Sequence, residues 1–405
     1  MTLHKPARKV MEGSRAVAEA VKAARPAVIS AYPISPQTHI VEDLSKMAVA
    51  GEYKGEYICV DSEFSAASVV YGASAAGVRA YTASSSQGLL LMVEVIYSMA
   101  GTRLPVVLTG VNRTVSSPIS IQPDHQDTMA LRDAGLLQIH VEDMQEAYDA
   151  HLQAFKIAEN PQVLLPVMVC MDGWILTHAY EPVELLSQDE VDCFLPPYTP
   201  VHCLDPKDPL IFGSYVDDDK LMEFRYMIQD AMGKASEIVK QVAEDFNEEF
   251  DRYYGGLTES YRLEDADLVI LAMGSVVGTI KDAVDSLRRE GLQVGLLKIR
   301  TYRPFPGKEL QLLLKGKKGV VVLDKSISFG SGPILAAEVK EALFHLQGCE
   351  RPEVYSVVAG LGGRDITPAG IAKMIKVCLE NPGEASPGPY YLDLNRSLLT
   401  GGENS

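Results

Sequence analysis

The sequence predicts an α/β protein built on parallel sheets. Apolar, strand-sized segments alternate with helix-like segments over residues 8–180, and a second alternating series begins at Asp267. The near-continuous apolar character of the strand segments is typical of parallel strands that helices cover on both faces. Residues 181–255 interrupt the alternation. Because 405 residues exceed what one ordinary core holds, we expect two α/β domains joined by a linker.

The first alternating series defines the elements of the first domain. Helical periodicity starts at Ser14, whose hydroxyl is the expected N-cap of the first helix. Apolar runs bounded by Gly, Pro and polar residues predict strands at 27–31, 56–60, 79–82, 104–109 and 163–171. The segments between them predict helices at 14–24, 66–76, 89–99 and 145–159.

The rest of the chain predicts a loop, a long helix and a second series. Residues 195–209 are rich in Pro, Asp and His and are expected to form an extended loop. From Leu221 to Phe250 apolar residues recur at spacings of three and four, which predicts one amphipathic helix that bridges domains or packs on a partner. Further strands are expected at 268–273, 293–298, 319–323 and 355–358, and helices at 278–289, 333–346 and 368–379.

Composition and charge exclude several kinds of partner and location. The formal net charge of -17 opposes binding to nucleic acid and to anionic membranes. The apolar runs are too short for membrane insertion, and the first ten residues lack the apolar stretch of a signal peptide, so a cytoplasmic location is expected. Six scattered cysteines, with no Cys-x-x-Cys pair, predict reduced thiols and no iron–sulfur cluster in this chain.

Glu63 is the first candidate for chemistry, within Asp61-Ser-Glu-Phe-Ser-Ala66. It follows a predicted strand and opens a helix rich in Ala and Ser, where parallel-sheet proteins place ligands. An acidic residue at that position also stabilises a helix N-terminus through the helix macrodipole. On the residues alone both interpretations remain open.

Three further segments follow strand ends. In Tyr32-Pro-Ile-Ser-Pro36 two prolines fix the backbone and present Ser35 rigidly, although such a turn can be purely structural. Arg113 could hold a carboxylate with two parallel N–H donors, or lie solvated at the surface. Ser84-Ser-Ser-Gln-Gly88 is a polar turn that either lets a ligand approach the backbone or only connects two elements.

Two other motifs are interpreted structurally. One His and two Asp within Asp124-His-Gln-Asp127 do not converge easily on one ion, so we interpret this motif as a structural loop. The segment Met273-Gly-Ser-Val-Val-Gly278 matches neither nucleotide-binding glycine pattern and indicates close packing. We expect no metal ligand in this chain.

Taken together, these motifs resemble the alpha, pyrimidine-binding subunit of the thiamine-diphosphate-dependent 2-oxoacid:ferredoxin oxidoreductases, of the pyruvate:ferredoxin oxidoreductase and phenylglyoxylate dehydrogenase type. In the second half, 298–306 (Lys-Ile-Arg-Thr-Tyr-Arg-Pro-Phe-Pro) and 359–363 (Ala-Gly-Leu-Gly-Gly) resemble the transketolase C-terminal-like domain of these enzymes. The resemblance implies a pyrimidine-binding domain over 1–180, an extended linker with the long helix over 181–255, a transketolase C-terminal-like domain over 256–382 and a C-terminal arm over 383–405.

The resemblance also implies roles for individual residues. Glu63 takes the position of the glutamate that hydrogen-bonds the aminopyrimidine ring of thiamine diphosphate and assists its proton transfer. Ser35, where the family usually has Thr, and Arg113 take the positions that bind the 2-oxoacid. The remaining residues implied to contact the cofactor are Pro33, Ile34, Ser86 and Gln87.

The implied activity is CoA-dependent oxidative decarboxylation of a 2-oxoacid to acyl-CoA and CO2, with electrons passing to ferredoxin or a similar acceptor. Because the chain lacks a Gly-Asp-Gly segment for the diphosphate and Mg²⁺, a beta subunit is expected to hold them. Iron–sulfur clusters are expected on partner subunits, which include ferredoxin-like and gamma-type chains.

The substrate stays open at this point. Pyruvate is the default, and Ser35 argues against oxalate, because a relative that acts on oxalate has Arg there. Phe64 replaces the His that usually follows the glutamate, and Thr114-Val115 replaces a common Ala-Leu pair, which favours an aryl 2-oxoacid such as phenylglyoxylate as the second choice. A non-catalytic scaffold subunit also stays open, as does a non-oxidative decarboxylase or a transketolase.

Overall fold

The computed structural model describes residues 7–380 and 389–399, which divide into two compact units. The first unit contains residues 7–259, Met273–Ser275 and Ile299–Pro306, and the second contains Ser260–Ala272, Val276–Lys298 and the described residues from Gly307 onward. Most of the expected C-terminal arm, 383–405, lies outside the described residues. The domain boundaries expected at 180, 255 and 382 stay predictions.

The first unit contains most of the elements that its alternating pattern predicts, and several more. Its strands are β1 Ala7–Glu12, β2 Val28–Ala31, β3 Glu56–Cys59, β4 Ala80–Ser84, β5 Val107–Asn112, β6 Leu137–His140, β7 Val167–Asp172 and β8 Tyr180–Leu185. Its helices are α1 Gly13–Ala24, α2 Thr38–Val49, α3 Glu63–Ala75, α4 Ser86–Leu91, α5 Val93–Gly101, α6 Gln126–Met129, α7 Met144–Ala158, α8 Gln188–Phe194 and α9 Leu221–Phe250.

The later elements complete the sheets. The strands are β9 Thr258–Tyr261, β10 Leu268–Ala272, β11 Val294–Ile299, β12 Thr301–Arg303, β13 Gly319–Asp324, β14 Glu353–Val358 and β15 Tyr390–Tyr391. The helices are α10 Val276–Arg289, α11 Gly307–Leu314, α12 Ile334–Leu343 and α13 Pro368–Glu380.

A seven-stranded sheet forms the centre of the first unit, in the order β12-β6-β7-β5-β4-β2-β3. Every neighbouring pair in it is parallel except β12 with β6. In β7, Val167, Val169 and Met171 belong to one apolar cluster, and Met168 and Cys170 belong to another. Since alternate strand residues point to opposite faces, both faces of the sheet are buried under helices, which confirms the predicted architecture.

The two apolar clusters explain why the helices of the first unit sit where they do. One cluster collects buried residues of α1, α2, α7 and α9, and the other collects those of α3 and α5. A two-stranded antiparallel pair of β1 and β8 lies beside α1 in this unit. The second unit has a six-stranded sheet in the order β15-β14-β13-β10-β11-β9, with a core of its own that includes residues of α10 and α13.

The structure corrects two details of the sequence analysis. Ser14 is not the N-cap of α1, because that position falls on Glu12, and the Ser14 hydroxyl instead donates to the carbonyl oxygen of Thr177 over 2.9 Å. The helix expected at 89–99 is two helices, α4 and α5, which meet at Met92. The long helix α9 has the predicted bounds. Among the described residues no helix is both long and apolar enough to cross a membrane.

Candidate active site

The four predicted site segments lie at the ends of four adjacent strands. In the sheet β5, β4, β2 and β3 are neighbours in that order and run parallel. Each is followed directly by one of the segments at 32–36, 61–66, 84–88 and 112–113. Since carboxyl ends of parallel strands share one edge of the sheet, this is the edge where such proteins bind ligands.

Glu63 is the first residue of α3 and is only 7% exposed. Ser62 caps the helix, its hydroxyl accepting from the Ser65 backbone N–H over 3.2 Å, so Glu63 is not needed as the cap. Within the part of the chain that the structure describes, no donor is hydrogen-bonded to its carboxylate. A ligand that carries a hydrogen-bond donor would satisfy this carboxylate.

The Glu63 side chain packs against Gly88, where a larger residue would clash with it. A Cβ added at Gly88 would lie 2.6 Å from Oε1 of Glu63 and 2.4 Å from Oγ of Ser84, so no larger residue fits there without a shift. The buried hydroxyls of Ser84 and Ser85 also have no hydrogen-bond partner among the described residues. Unpaired polar atoms thus collect around Gly88, at the start of α4.

Ser86 begins α4 in an unusual backbone conformation. Its φ of 51° lies in the left-handed region, which costs a non-glycine residue about 1–2 kcal/mol. Its hydroxyl proton has two acceptor oxygens within reach, the Thr114 carbonyl oxygen at 2.7 Å and Oε1 of Gln87, and is shared between them. Gln87 in turn donates to the hydroxyl of Ser116, so the turn after β4 is fastened to the segment after β5.

Arg113 and Ser35, both predicted to bind substrate, are in direct contact. Nη1 of Arg113 donates to the Ser35 carbonyl oxygen over 2.8 Å, and Nε donates to the carbonyl oxygen of Ser120 over 3.1 Å. Arg113 is therefore not a freely solvated surface residue. Its Nη2 bonds to none of the described residues and remains available to an anion.

The turn that contains Pro33, Ile34 and Ser35 is held by Gln37. Its side-chain oxygen accepts from the Ile34 backbone N–H over 3.2 Å, and its nitrogen donates to the Ala83 carbonyl oxygen in β4 over 2.8 Å. Pro33 and Ser35 are exposed and Ile34 is half-buried, so the turn faces outward while Gln37 anchors it. This role of Gln37 has no signal in the sequence, since a single polar residue after a turn forms no distinctive pattern.

Asp127 joins the turn after β4 to Arg113. One of its oxygens, Oδ2, accepts from the backbone N–H groups of both Ser86 and Arg113, each over 2.9 Å. The other oxygen, Oδ1, accepts from Asn112 over 3.0 Å and from the Thr128 backbone N–H over 2.8 Å. Burial raises the pKa of Asp127 to about 7, while these donors act to lower it.

The neighbouring Asp172, at the end of β7, organises the same edge. It accepts from the Ser275 backbone N–H over 2.9 Å and from its hydroxyl over 2.6 Å, and its other oxygen lies 3.2 Å from Nε2 of His125. Gly274 has a φ of 78°, which favours glycine, and an added Cβ would lie only 3.0 Å from Oδ2 of Asp172 and from Nε2 of His125. The close packing inferred for this glycine segment agrees with these contacts.

The arrangement therefore has three chemical features on one sheet edge. An unpaired, nearly buried carboxylate at Glu63 can hold a proton or a hydrogen-bond donor. A guanidinium at Arg113, with a free Nη2, can bind a carboxylate. Asp127 fixes the two turns between them. The roles of individual residues remain predictions from the sequence.

Two family profiles match the chain. "Pyruvate flavodoxin/ferredoxin oxidoreductase, thiamine diP-bdg" matches residues 19–244, and "Pyruvate:ferredoxin oxidoreductase core domain II" matches residues 266–371. Together they cover both parts of the chain in which the sequence shows βα alternation.

Curated relatives match over almost the whole chain. Pyruvate synthase subunit PorA of Methanosarcina barkeri is 49% identical over 96% of this chain and 97% of its own length. PorA of Methanothermobacter thermautotrophicus is 48% identical over 92% of this chain and 96% of its own length. Ketoisovalerate oxidoreductase subunit VorA of Pyrococcus abyssi is 42% identical over 94% of this chain and 96% of its own length.

Solved structures show the same fold at low identity. A 2-oxoglutarate:ferredoxin oxidoreductase from Magnetococcus marinus aligns with a TM-score of 0.67 and 20% identity, over 91% of this chain and 65% of that longer chain. A split-gene transketolase, an inactive beta4 tetramer, aligns with a TM-score of 0.55 and 13% identity, over 92% of this chain and 99% of its own length.

Proposed function

The chain belongs to the pyruvate flavodoxin/ferredoxin oxidoreductase family, and on that premise we propose that it is the subunit that binds the pyrimidine end of thiamine diphosphate in a pyruvate-converting complex. The observation that carries this proposal is the unpaired Glu63 carboxylate, nearly buried against Gly88 at the strand edge. The reaction is the CoA-dependent oxidative decarboxylation of pyruvate, an oxidoreductase activity.

The residues around Glu63 fit the cofactor. The carboxylate lacks a hydrogen-bond partner in the described part of the chain, and the hydroxyls of Ser84 and Ser85 are buried and unpaired. When bound, thiamine diphosphate supplies the carbon nucleophile and the electron sink that decarboxylation requires. Glu63 would hold a proton against the aminopyrimidine ring. The walls of the site would be formed by Ser86 and Gln87, which Thr114 and Ser116 hold in place. The turn residues Pro33 and Ile34 would form another wall.

Arg113 and Ser35 would bind the 2-oxoacid. The Arg113 guanidinium, held by the carbonyl oxygens of Ser35 and Ser120, keeps Nη2 for the substrate carboxylate. A charge-assisted bond of this kind is about twice as strong as a neutral one, so Arg113 would supply most of the binding energy. Ser35 would add one hydroxyl donor on the exposed face of its turn.

The complex needs further subunits. Curated relatives are named as subunits, and this chain has no Gly-Asp-Gly segment and no clustered cysteines. A beta subunit would therefore hold the diphosphate with Mg²⁺, and ferredoxin-like and gamma-type subunits would hold iron–sulfur clusters. The six cysteines of this chain are free thiols.

The first turns of α9 provide a surface for such a subunit. Met222, Tyr226 and Met227 are exposed there, as are Leu221 and Phe224. A series of large apolar side chains on one exposed segment is typical of a protein–protein contact. This surface supports the expectation from the sequence that the long helix packs on a partner.

A branched 2-oxoacid is the second candidate substrate. Relatives named for ketoisovalerate are 42–43% identical to this chain, within the range of those named for pyruvate. An aryl substrate such as phenylglyoxylate rests on Phe64 and Thr114-Val115 alone. A scaffold without activity would have no use for an unpaired buried carboxylate beside Gly88.

Substrate specificity tests the proposal directly. The complex, purified with its partner subunits, is supplied with CoA and, in turn, with pyruvate, 2-ketoisovalerate, 2-oxoglutarate or phenylglyoxylate. The rate at which a viologen dye is reduced measures the activity with each 2-oxoacid. We expect the highest kcat/KM with pyruvate. A higher value with 2-ketoisovalerate or phenylglyoxylate would reassign the substrate, and no reduction with any of them would contradict the proposed activity.

A further inference from the structure

Three side chains from distant parts of the first unit converge outside the candidate active site. Glu12 ends β1, His39 lies in the first turn of α2, and His178 lies in the turn between β7 and β8. Each offers one ligand atom, and these atoms all lie within 4.8 Å of one another. Because the three residues are far apart in the chain, their spacing in the sequence gave no sign of a shared site.

We propose that Glu12, His39 and His178 bind one divalent transition-metal ion, with Zn²⁺ the expected occupant. Two imidazoles and one carboxylate are a donor set that Zn²⁺ uses in proteins, with a water molecule in the fourth position. Two imidazoles also exclude Ca²⁺ and Mg²⁺ as preferred ions, since those require oxygen ligands.

The His39 side chain contacts both of the other two side chains. Oε1 of Glu12 lies 2.7 Å from Nδ1 of His39, which one proton could explain. The ring of His178, however, lies against that of His39 with centroids 4.5 Å apart. A cation at this point would contact all three side chains, because imidazole binds a metal through the lone pair of a ring nitrogen.

The site is held in place before any ion binds. Residue Ser14, next to β1, donates from both its backbone N–H and its hydroxyl to the Thr177 carbonyl oxygen, over 3.0 Å and 2.9 Å. These two bonds fix the end of β1, with Glu12, beside the turn of His178. Gln37, two residues before His39, is anchored to β4 through the Ala83 carbonyl oxygen.

A second layer of contacts orients the His178 ring. Its Nδ1 lies 2.6 Å from Oγ1 of Thr177, which also accepts from the Trp174 backbone N–H over 2.9 Å. In the tautomer in which Nδ1 donates to that hydroxyl, Nε2 carries the lone pair that a metal needs, which is how metal-bound histidines are commonly held. The side chain of His39 is 44% exposed, so an ion can enter from solvent.

The ion would connect segments that flank the candidate active site. The first turn of α2 follows the turn of Ser35 directly, and the indole N–H of Trp174 donates to the carbonyl oxygen of Ile121 over 2.6 Å, in the segment after Arg113. Trp174 also packs against the His178 ring at 4.2 Å. The site is therefore expected to stabilise the first unit rather than to take part in the reaction.

Metal titration of the full, untagged chain tests the proposal. After chelator treatment, equilibrium dialysis against Zn²⁺ measures the bound ion per chain, and Co²⁺ titration measures the visible absorption of a tetrahedral nitrogen and oxygen site. We expect one Zn²⁺ per chain, a Co²⁺ spectrum that Zn²⁺ displaces, and a rise in Tm when Zn²⁺ is added.

The variants separate this site from unspecific binding. His39→Gln and Glu12→Gln alter side chains that keep solvent contact, so the fold should survive, and each should weaken Zn²⁺ binding at least tenfold and remove the Tm shift. His345→Gln, at an exposed histidine of the second unit, is the matched control and should bind as the unaltered chain does. Equal Zn²⁺ binding by the unaltered chain, His39→Gln and Glu12→Gln would overturn the proposal, as would the lack of a bound ion in the unaltered chain.

Discussion

The Nη1 atom of Arg113 donates a hydrogen bond to the carbonyl oxygen of Ser35 over 2.8 Å. The two residues are 78 positions apart and follow different strands, so only the sheet brings them together. The contact places the guanidinium and the Ser35 hydroxyl on one edge of the sheet. It explains why a carboxylate bound at Nη2 of Arg113 would meet the turn that contains Ser35.

Arg113→Ala should raise KM for the 2-oxoacid and lower kcat/KM by about 100-fold or more, because a charge-assisted carboxylate contact is lost. Arg113→Lys keeps the charge but loses the two parallel N–H donors, so its kcat/KM should lie between those of the unaltered complex and Arg113→Ala. Steady-state kinetics of the assembled complex measure both, with exposed Arg351→Ala as the control. A change in KM for CoA, with none for the 2-oxoacid, would refute this role of Arg113.

Ser35→Ala should have a smaller effect than Arg113→Ala. Only one neutral hydrogen bond is removed, which corresponds to about 0.5–1.5 kcal/mol, while the carbonyl oxygen that holds Arg113 remains. The same kinetic assay distinguishes the two positions. An effect of Ser35→Ala as large as that of Arg113→Ala would place the main substrate contact on the turn.

Glu63→Gln should leave the complex assembled and nearly inactive. The substitution keeps the size of the side chain beside Gly88 but removes its ability to hold a proton, and general acid–base contributions are typically about 10²–10⁴-fold. Viologen reduction with pyruvate and CoA measures the loss, and size-exclusion chromatography checks assembly. Glu52→Gln, at an exposed position of the first unit, is the control. Activity within about twofold of the unaltered complex would remove Glu63 from the mechanism.

Asp127→Asn should impair both sides of the site at once. The asparagine NH2 group must replace one of the two carboxylate oxygens, and it cannot accept a hydrogen bond. If it replaces Oδ2, the bonds from the Ser86 and Arg113 backbone N–H groups are lost. If it replaces Oδ1, the bonds from the Asn112 side chain and the Thr128 backbone N–H are lost. Leaving buried donors unpaired costs about 1–3 kcal/mol each. We expect a lower Tm together with weaker binding of both thiamine diphosphate and 2-oxoacid.

The matched control for that substitution is Asp133→Asn, at an exposed carboxylate close by in the chain. It should change neither Tm nor the kinetic constants. If Asp127→Asn lowered Tm but left both KM values unchanged, Asp127 would support the fold without positioning the two turns.

His151 makes the stability of the first unit fall in acid. Burial lowers its pKa to about 4, and its ring is held between Oγ1 of Thr109 and the carbonyl oxygen of Ala147, each at 2.6 Å. In the unfolded chain the His151 imidazole becomes protonated near pH 6.5, whereas in the folded chain it stays neutral down to about pH 4. The contribution of the buried neutral ring to the free energy of unfolding is therefore complete above pH 6.5 and is lost as pH falls toward 4. At about 1.4 kcal/mol per pKa unit, it amounts to about 3 kcal/mol.

Thermal unfolding between about pH 7.5 and pH 5 tests this dependence. The fall in Tm over that range should be smaller in His151→Gln than in the unaltered chain or in His345→Gln. Burial raises the pKa values of Asp127 and Asp149 to about 7, so these two carboxyl groups make the folded state more stable as pH falls. All three chains contain both residues, so their effect cancels in the comparison. Equal slopes in the three chains would contradict the assignment to His151.

The sequence predicted the sheets and the strand-end motifs because both rest on strong local patterns. Apolar runs of strand length in β4, β5 and β7 identify buried parallel strands, and spacings of three and four identify α9. Strand β1, Ala-Arg-Lys-Val-Met-Glu, was missed, since its polar sequence is stabilised by antiparallel pairing with β8, a contact distant in the chain.

The parts of the site that the sequence did not predict depend on long-range contacts. Ser14 has the residue type of an N-cap, yet its hydroxyl bonds to Thr177, which only the folded chain brings near. Gln37 acts through its hydrogen bonds to Ile34 and Ala83, and Gly88 acts through its closeness to Glu63 and Ser84. Such contacts leave no periodicity or motif, so they become visible only when neighbouring strand ends are in place.

The last prediction is that this chain cannot work alone. Glu63 is proposed to meet the pyrimidine end of the cofactor, but the chain has no Gly-Asp-Gly segment for the diphosphate and no clustered cysteines for electron transfer. Expressed alone, the chain should be colourless, bind thiamine diphosphate weakly or not at all, and reduce no viologen dye. Mixing it with its partner subunits should restore turnover, and replacing the exposed apolar Met222 and Met227 of α9 by Glu should weaken that assembly. Turnover by the single chain, supplied only with cofactor, Mg²⁺, CoA and a 2-oxoacid, would overturn the division of the site between subunits.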